Sequence, residues 1–212
     1  MKDLIEQIDS VARRVGSATL PGGAAHTVTM QRTYDADIDD VWDAITQPER
    51  IARWFLPVTG DFHQGGSYQL DGNAGGEIRT CEPPHRLVVT WNPPGAPPPT
   101  EDASIVTVSL HVVDGSTDLI LEHVAVVPPE FWNEYGPGAV GVGWDLSLIG
   151  LAAHLDGIAL GTPEQMDRDP NVRAAMAASS NAWGAAYAAT GTSPDTVAQV
   201  VAATTAFYVP AT

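Results

Sequence analysis

The sequence predicts an α+β fold in which a curved antiparallel sheet wraps one long helix, with further helices at both ends. Three observations predict it. Between residues 60 and 126, extended segments follow one another through turn signals with no helical segment between them, which calls for antiparallel pairing rather than βαβ crossovers. From about 143 to 160, Trp144, Leu148, Leu151, Leu155 and Ile158 recur at four-three-four-three spacing, one apolar stripe on a helix. The chain's 212 residues, 44% of them hydrophobic, suffice to bury a core without disulfides or zinc.

The elements follow in order. Leu4, Ile8, Val11 and Val15 have helical spacing, so residues 2–15 read as an amphipathic helix ended by Gly16, and 17–25 (SATLPGGAA) as a connector rich in breakers. Residues 26–34 alternate. Val28, Met30 and Tyr34 share one face, and Thr27, Thr29, Gln31 and Thr33 the other, as in a half-buried strand. Asp37 caps a short helix bearing Ile38, Val41, Trp42 and Ile45. Thr46-Gln-Pro-Glu49 reads as a capping box opening a second helix that carries Ile51, Trp54 and Phe55. Strands then follow around Gly65-Gly66, at 75–81 and at 86–91, with a proline-rich loop at 92–102. Segments 105–113 and 117–126 flank Asp114-Gly115, a strong hairpin signal. Residues 128–143 read as a Gly/Pro/aromatic loop that could act as a lid. After the long helix, Thr162-Pro-Glu-Gln165, the alanine-rich stretch 170–190 and Ser193-Pro194 start or form three more helices.

Composition excludes several roles. The net charge of −16 repels phosphate backbones and anionic lipid surfaces, so neither nucleic acid nor membrane is an expected partner. No apolar run of about 18 residues stands out, and the first residues match neither a secretory signal nor a transit peptide, so the expected location is cytoplasmic. The lone Cys81 can form no internal disulfide and reads as a buried thiol. The six histidines show no HExxH or HxH pairing, so no metal and no cofactor is expected. Gly136-Pro-Gly138-Ala-Val-Gly141 matches GxGxxG, but it follows no strand and lies in no βαβ unit, which argues against dinucleotide binding.

Several motifs carry a family resemblance. VWDAITQPERIARWFLP (41–57) looks like the entry helices of the START/SRPBCC superfamily, whose members have the Bet v 1-like helix-grip fold. GGSYQL (65–70), EPPHRLVVTW (82–91), TDLILEHV (117–124) and GWDLSLIGLAAHL (143–155) resemble its strand motifs and grip helix. Together they resemble the branch named for the activator of heat-shock protein 90 ATPase (AHSA-type), over residues 26–160. The resemblance implies that residues 26–160 are the helix-grip domain; residues 1–25, an N-terminal helix and connector, and 161–212, a helical extension, lie outside it.

A curled sheet that does not touch its helix everywhere leaves a hollow, mostly apolar with few polar anchors. The candidate ligand-binding residues are Trp54, Phe55, Tyr68, Trp91, Leu119, Leu121, His123, Trp144, Leu148 and Leu151, each of which could equally be plain core packing. The candidate catalytic residues are Arg32, Glu77 and His123. Arg32 and His123 share strand parity with apolar neighbours, and Glu77 pairs in parity with Arg79. An inward arginine would anchor a carboxylate, and a histidine would move protons. Against these stand a strand bulge, a satisfied core histidine and an exposed ion pair. His154, near the end of the long helix, could cap it as a cation.

The reading that follows is a protein binding a small hydrophobic or amphipathic molecule. The alternative is a polyketide cyclase or dehydratase-like enzyme, which needs titratable groups that converge. A chaperone ATPase activator ranks third, because the family name travels with the domain rather than with the activity. The alanine-rich extension favours a homodimer.

Overall fold

The computed structural model describes residues 3–94, 102–159, 161 and 163–210. The elements run α1 (Leu4–Asp9), β1 (Ala12–Leu20), β2 (Gly23–Tyr34), α2 (Ile38–Thr46), α3 (Pro48–Trp54), β3 (Val58–Gly60), β4 (Ser67–Leu70), β5 (Gly75–Glu82), β6 (Arg86–Thr90), β7 (Ser104–Val113), β8 (Ser116–Ala125), α4 (Pro129–Tyr135), α5 (Gly138–Leu155), α6 (Pro163–Arg168), α7 (Pro170–Ala188) and α8 (Pro194–Tyr208). Among the described residues the strands form a single antiparallel sheet in the order β1-β2-β8-β7-β6-β5-β4-β3. This is the helix-grip architecture that the hairpin signals and the long stripe predict.

The β7–β8 hairpin turns at Asp114 and Gly115, both at positive φ (51° and 83°), as the primed turn of a two-residue hairpin requires. Its long register sets the inner face. Val106, Val108 and Leu110 pair with His123, Leu121 and Leu119, and β2 adds Val28, Met30 and Tyr34 alongside. Helix α5 crosses this face, fixed in part by the Tyr34 hydroxyl donating to the Leu148 carbonyl at 3.1 Å.

The first element departs from expectation. The helix stops at Asp9, with Asp3 capping Ile5 N, and residues 12–20 form β1 rather than helix end and connector. Val11 and Val15 continue the helical spacing of Ile8, but nine consecutive pairings with β2 outweigh that local preference. The capping box also fails. Thr46 is the last residue of α2 and its hydroxyl bonds back to the Trp42 carbonyl, while Gln47 caps α3 with Pro48 in the first turn.

The stretch 128–143 is not a lid loop. It contains α4, and α5 starts at Gly138, five residues before the expected 143, and ends at Leu155 rather than about 160. Trp132 of α4 stacks on His26 of β2 (3.6 Å, 4°) and donates to the Tyr187 hydroxyl, away from the grip face of α5. Gly141 is needed for close approach, since a Cβ there would collide with the Trp183 ring. By length and composition α5 could cross a membrane, contrary to the expectation, but 56% of it is buried within the fold. The expected loop at 92–102 and Thr162 lie largely outside the described residues.

Candidate functional site

A hollow of about 170 Å³ opens between the concave sheet and α5. Its floor comes from alternate residues of the strands: Tyr68 and Leu70 of β4, Leu87 and Val89 of β6, Val106 and Val108 of β7, Leu119 and Leu121 of β8. Trp144, Leu148 and Leu151 of α5 form the roof, one turn apart on a single stripe. Trp54 and Phe55, at the end of α3, close one side. Phe62, 43% exposed, marks where the hollow meets solvent. A bulge in β5 between Ile78 and Thr80 lets both Ile78 and Cys81 face inward despite their opposite parity.

Nine of the ten expected ligand-binding residues line this hollow: Trp54, Phe55, Tyr68, Trp91, Leu119, Leu121, Trp144, Leu148 and Leu151. Among the lining residues absent from that expected set are Ile45, Ile51, Val58, Phe62 and Cys81, the hydroxyl residues Thr46 and Ser147, and the remaining strand residues of the floor. The strand alternation and the helix spacing that placed their neighbours could have found several of these.

The hydroxyls around the hollow, and the indoles of Trp54 and Trp144, already have partners inside the fold. Thr46 donates to the Trp42 carbonyl, Trp54 Nε1 to the Ala44 carbonyl, Tyr68 to the Thr90 carbonyl and Ser147 to the Gly143 carbonyl, at 2.7–2.9 Å. Burial raises the Tyr68 hydroxyl well above its ordinary pKa, so it stays protonated. Trp144 Nε1 donates to His123 Nδ1 at 3.2 Å. The wall therefore offers apolar surface and few unsatisfied donors or acceptors.

His123 stands behind that wall, buried and outside the lining set. Its Nε2 lies 2.8 Å from the Ser104 hydroxyl. At first sight that is a serine–histidine pair. The indole N–H of Trp144 can only donate, so Nδ1 must accept and the proton must sit on Nε2. In that tautomer Nε2 donates to Ser104 and cannot take its proton, so the pair is the wrong way round for a nucleophile and its base. Burial also pushes the His123 pKa down to about 4, keeping the ring neutral.

The other catalytic candidates lie elsewhere. Arg32 is buried on the inner face but turns to Gln7 of α1 (2.8 Å) and stacks over Tyr34 at 5.2 Å. Glu77 and Arg79 are each about 40% exposed and pair at 3.3 Å, with Arg79 also reaching Asp102 at 2.7 Å. His154 accepts from Arg50 at 3.1 Å, and burial and that cation lower its pKa, so it is a neutral acceptor rather than a helix-capping cation. Arg32, Glu77 and His123 thus face three separate neighbourhoods. Among the described residues no cluster of histidine, cysteine and carboxylate side chains has the makings of a metal site.

One buried constellation was missed altogether. Asp145, fully buried in α5, meets Arg13 of β1 at 2.9 Å and accepts from Ser179 and Trp183 of α7 at 2.5 and 3.0 Å. It faces away from the hollow and ties both terminal segments to the grip helix. An aspartate between Trp144 and Leu146 reads from sequence as a polar interruption, and its cation lies 132 residues away.

Comparison with known proteins bears on the same region. The model of the Activator of Hsp90 ATPase homolog 1-like protein family matches residues 35–156. No curated protein matches the chain. Among solved structures, the crystal structure of CalU16 from Micromonospora echinospora is 34% identical, covering 83% of this chain and 97% of that one, with a TM-score of 0.63. DynU16, a protein of the dynemicin biosynthetic locus, is 25% identical over 61% of this chain and 47% of that one, with a TM-score of 0.54. An Hsp90 activator from Plasmodium falciparum shares the fold at 22% identity, covering 62% of this chain and 96% of that one, with a TM-score of 0.53.

Proposed function

From the premise that this chain belongs to the Activator of Hsp90 ATPase homolog 1-like family, we propose that it binds a small, uncharged hydrophobic or amphipathic molecule under α5. The observation that carries this reading is an apolar hollow whose hydroxyls, and the indoles of Trp54 and Trp144, already bond within the fold. Such a wall gives a charged ligand nothing to replace its water, so it selects apolar surface. Its volume, about 170 Å³, is of the order of the roughly 150 Å³ apolar cavities that take a single aromatic ring. A larger ligand would extend past Phe62 at the mouth. DynU16's place in a biosynthetic locus fits a role with small molecules.

Catalysis of the cyclase or dehydratase kind needs acid and base groups within reach of one substrate. Arg32, Glu77 and His123 do not converge, so binding is the better-supported reading. A second copy of the chain, for which the alanine-rich stretch argued, would meet the outer face of α7, where Ala174, Ala185 and Ala188 are exposed. Ala175, Ser179, Trp183 and Gly184 of α7 pack within the chain.

Titration with the neutral fluorescent probe N-phenyl-1-naphthylamine tests the proposal, with native mass spectrometry of protein from its own host searching for a retained small molecule. Saturable one-to-one binding is expected. Absence of saturable binding, together with stimulation of Hsp90 ATP turnover, would move the function to the chaperone.

A further inference from the structure

We propose that His123 is the positioning residue of the hollow: it fixes the Trp144 indole, against which Trp91 packs, as the aromatic face that a ligand ring meets. The inference rests on the binding reading above, but its geometry stands in the empty protein. A leucine at this position would match Leu119 and Leu121 beside it. A histidine instead brings two polar nitrogens into an apolar face, which is tolerable only where both are satisfied. Both are, by Trp144 on one side and Ser104 on the other.

The rings are arranged accordingly. His123 meets Trp144 edge-on (6.0 Å, 85°) and Trp91 at 64° (6.2 Å), while the two indoles lie 4.8 Å apart, tilted by 52°. Trp144 continues to Phe55 at 6.4 Å and a 25° tilt, so its plane sets the direction of the aromatic wall. Without an acceptor at Nδ1, the indole N–H would be left unpaired beside an apolar hollow, and the ring would rotate to find water or the ligand. His123 itself does not line the hollow, so it acts through Trp144 rather than on the ligand.

No ionising neighbour among the described residues competes for the ring. Among the described residues His123 is faced by Val28 of β2, Val106 and Ser104 of β7, Trp91 after β6 and Trp144 of α5. Its protonation is governed by burial, and the neutral form keeps the lone pair that Trp144 needs.

The test compares H123L with H123N, which keeps an acceptor oxygen near the Nδ1 position. It follows the Trp144 indole N–H resonance in the unliganded protein and the affinity for N-phenyl-1-naphthylamine. H123L is expected to shift the resonance and weaken the probe about tenfold or more, while H123N holds both close to wild type, within about threefold. Wild-type resonance and affinity in H123L, or equal losses in two variants with native circular dichroism, would overturn the proposal. Failure of the wild-type protein to bind the probe would sink the binding reading alone, since the resonance reports positioning without ligand. Should H123L not fold, the wild type decides by titration. The resonance should stay still from about pH 8 to 5 and move only as the imidazole gains its second proton near 4. Movement at an ordinary histidine pKa would refute the locked tautomer.

Discussion

Replacing Arg13 by methionine keeps the packed stem and removes the cation facing Asp145. The two side chains are 6% and 0% exposed, and two of the arginine's nitrogens approach the carboxylate, at 2.9 and 3.1 Å. Breaking a buried pair by removing one partner costs about 3–5 kcal/mol, because the remaining charge has no water to return to. The carbonyls of Val11 and Ile8 also lose the donors that Arg13 supplies at 2.9 Å, which places the loss in the upper part of that range. For a chain of this size the midpoint temperature should fall by roughly 6–20 °C.

The same substitution carries a pH signature. Burial already raises the Asp145 carboxyl above its ordinary pKa, with Arg13, Ser179 and Trp183 pulling it back down. A carboxyl whose folded pKa lies above its unfolded one favours folding in its protonated form, and that contribution is lost as pH rises through the folded value. Removing Arg13 raises the folded value further. The stability gap between variant and wild type should therefore be widest at neutral pH and shrink as pH falls through the raised carboxyl range. Urea unfolding followed by tryptophan fluorescence at several pH values measures both. A loss below about 1 kcal/mol at neutral pH, or a gap independent of pH, would refute the assignment of this pair as buried and coupled.

Other substitutions probe separate parts of the molecule. Trp132→Ala uncovers His26, whose pKa is lowered by burial, so its imidazole should titrate closer to the ordinary value by NMR. Leu121→Phe fills part of the hollow and should abolish probe binding at a cost of about 1–3 kcal/mol, read by urea unfolding. Glu77→Gln removes an exposed ion pair and should leave probe affinity unchanged and stability within about 0.5 kcal/mol; a loss of binding would return Glu77 to the site.

What the sequence made legible was whatever local pattern decides. Alternation placed Leu119 and Leu121 on the inner face, and the four-three spacing placed Trp144, Leu148 and Leu151 opposite them. Asp114-Gly115 announced its hairpin because only such residues accept the backbone needed there. Longer-range pairing was hidden. β1 followed a helical spacing until β2 claimed it, and Cys81 turns inward only because the chain gains a residue at the β5 bulge. For His123, parity gave the correct face but not its depth, since the indoles of Trp91 and Trp144 stand between it and the hollow. For Arg32 alternation gave the apolar face but left open a bulge or edge turning it to solvent, and its partner on α1 is set by how that helix packs.

The meeting of Arg13, Ser179 and Trp183 on one carboxylate has a consequence for the order of synthesis. The arginine leaves the ribosome before the grip helix and the other two after it, so a nascent chain halted at the end of the grip helix would hold Asp145 without its full set of donors. Emergence of α7, rather than of the sheet, is then the event that lets the native state settle.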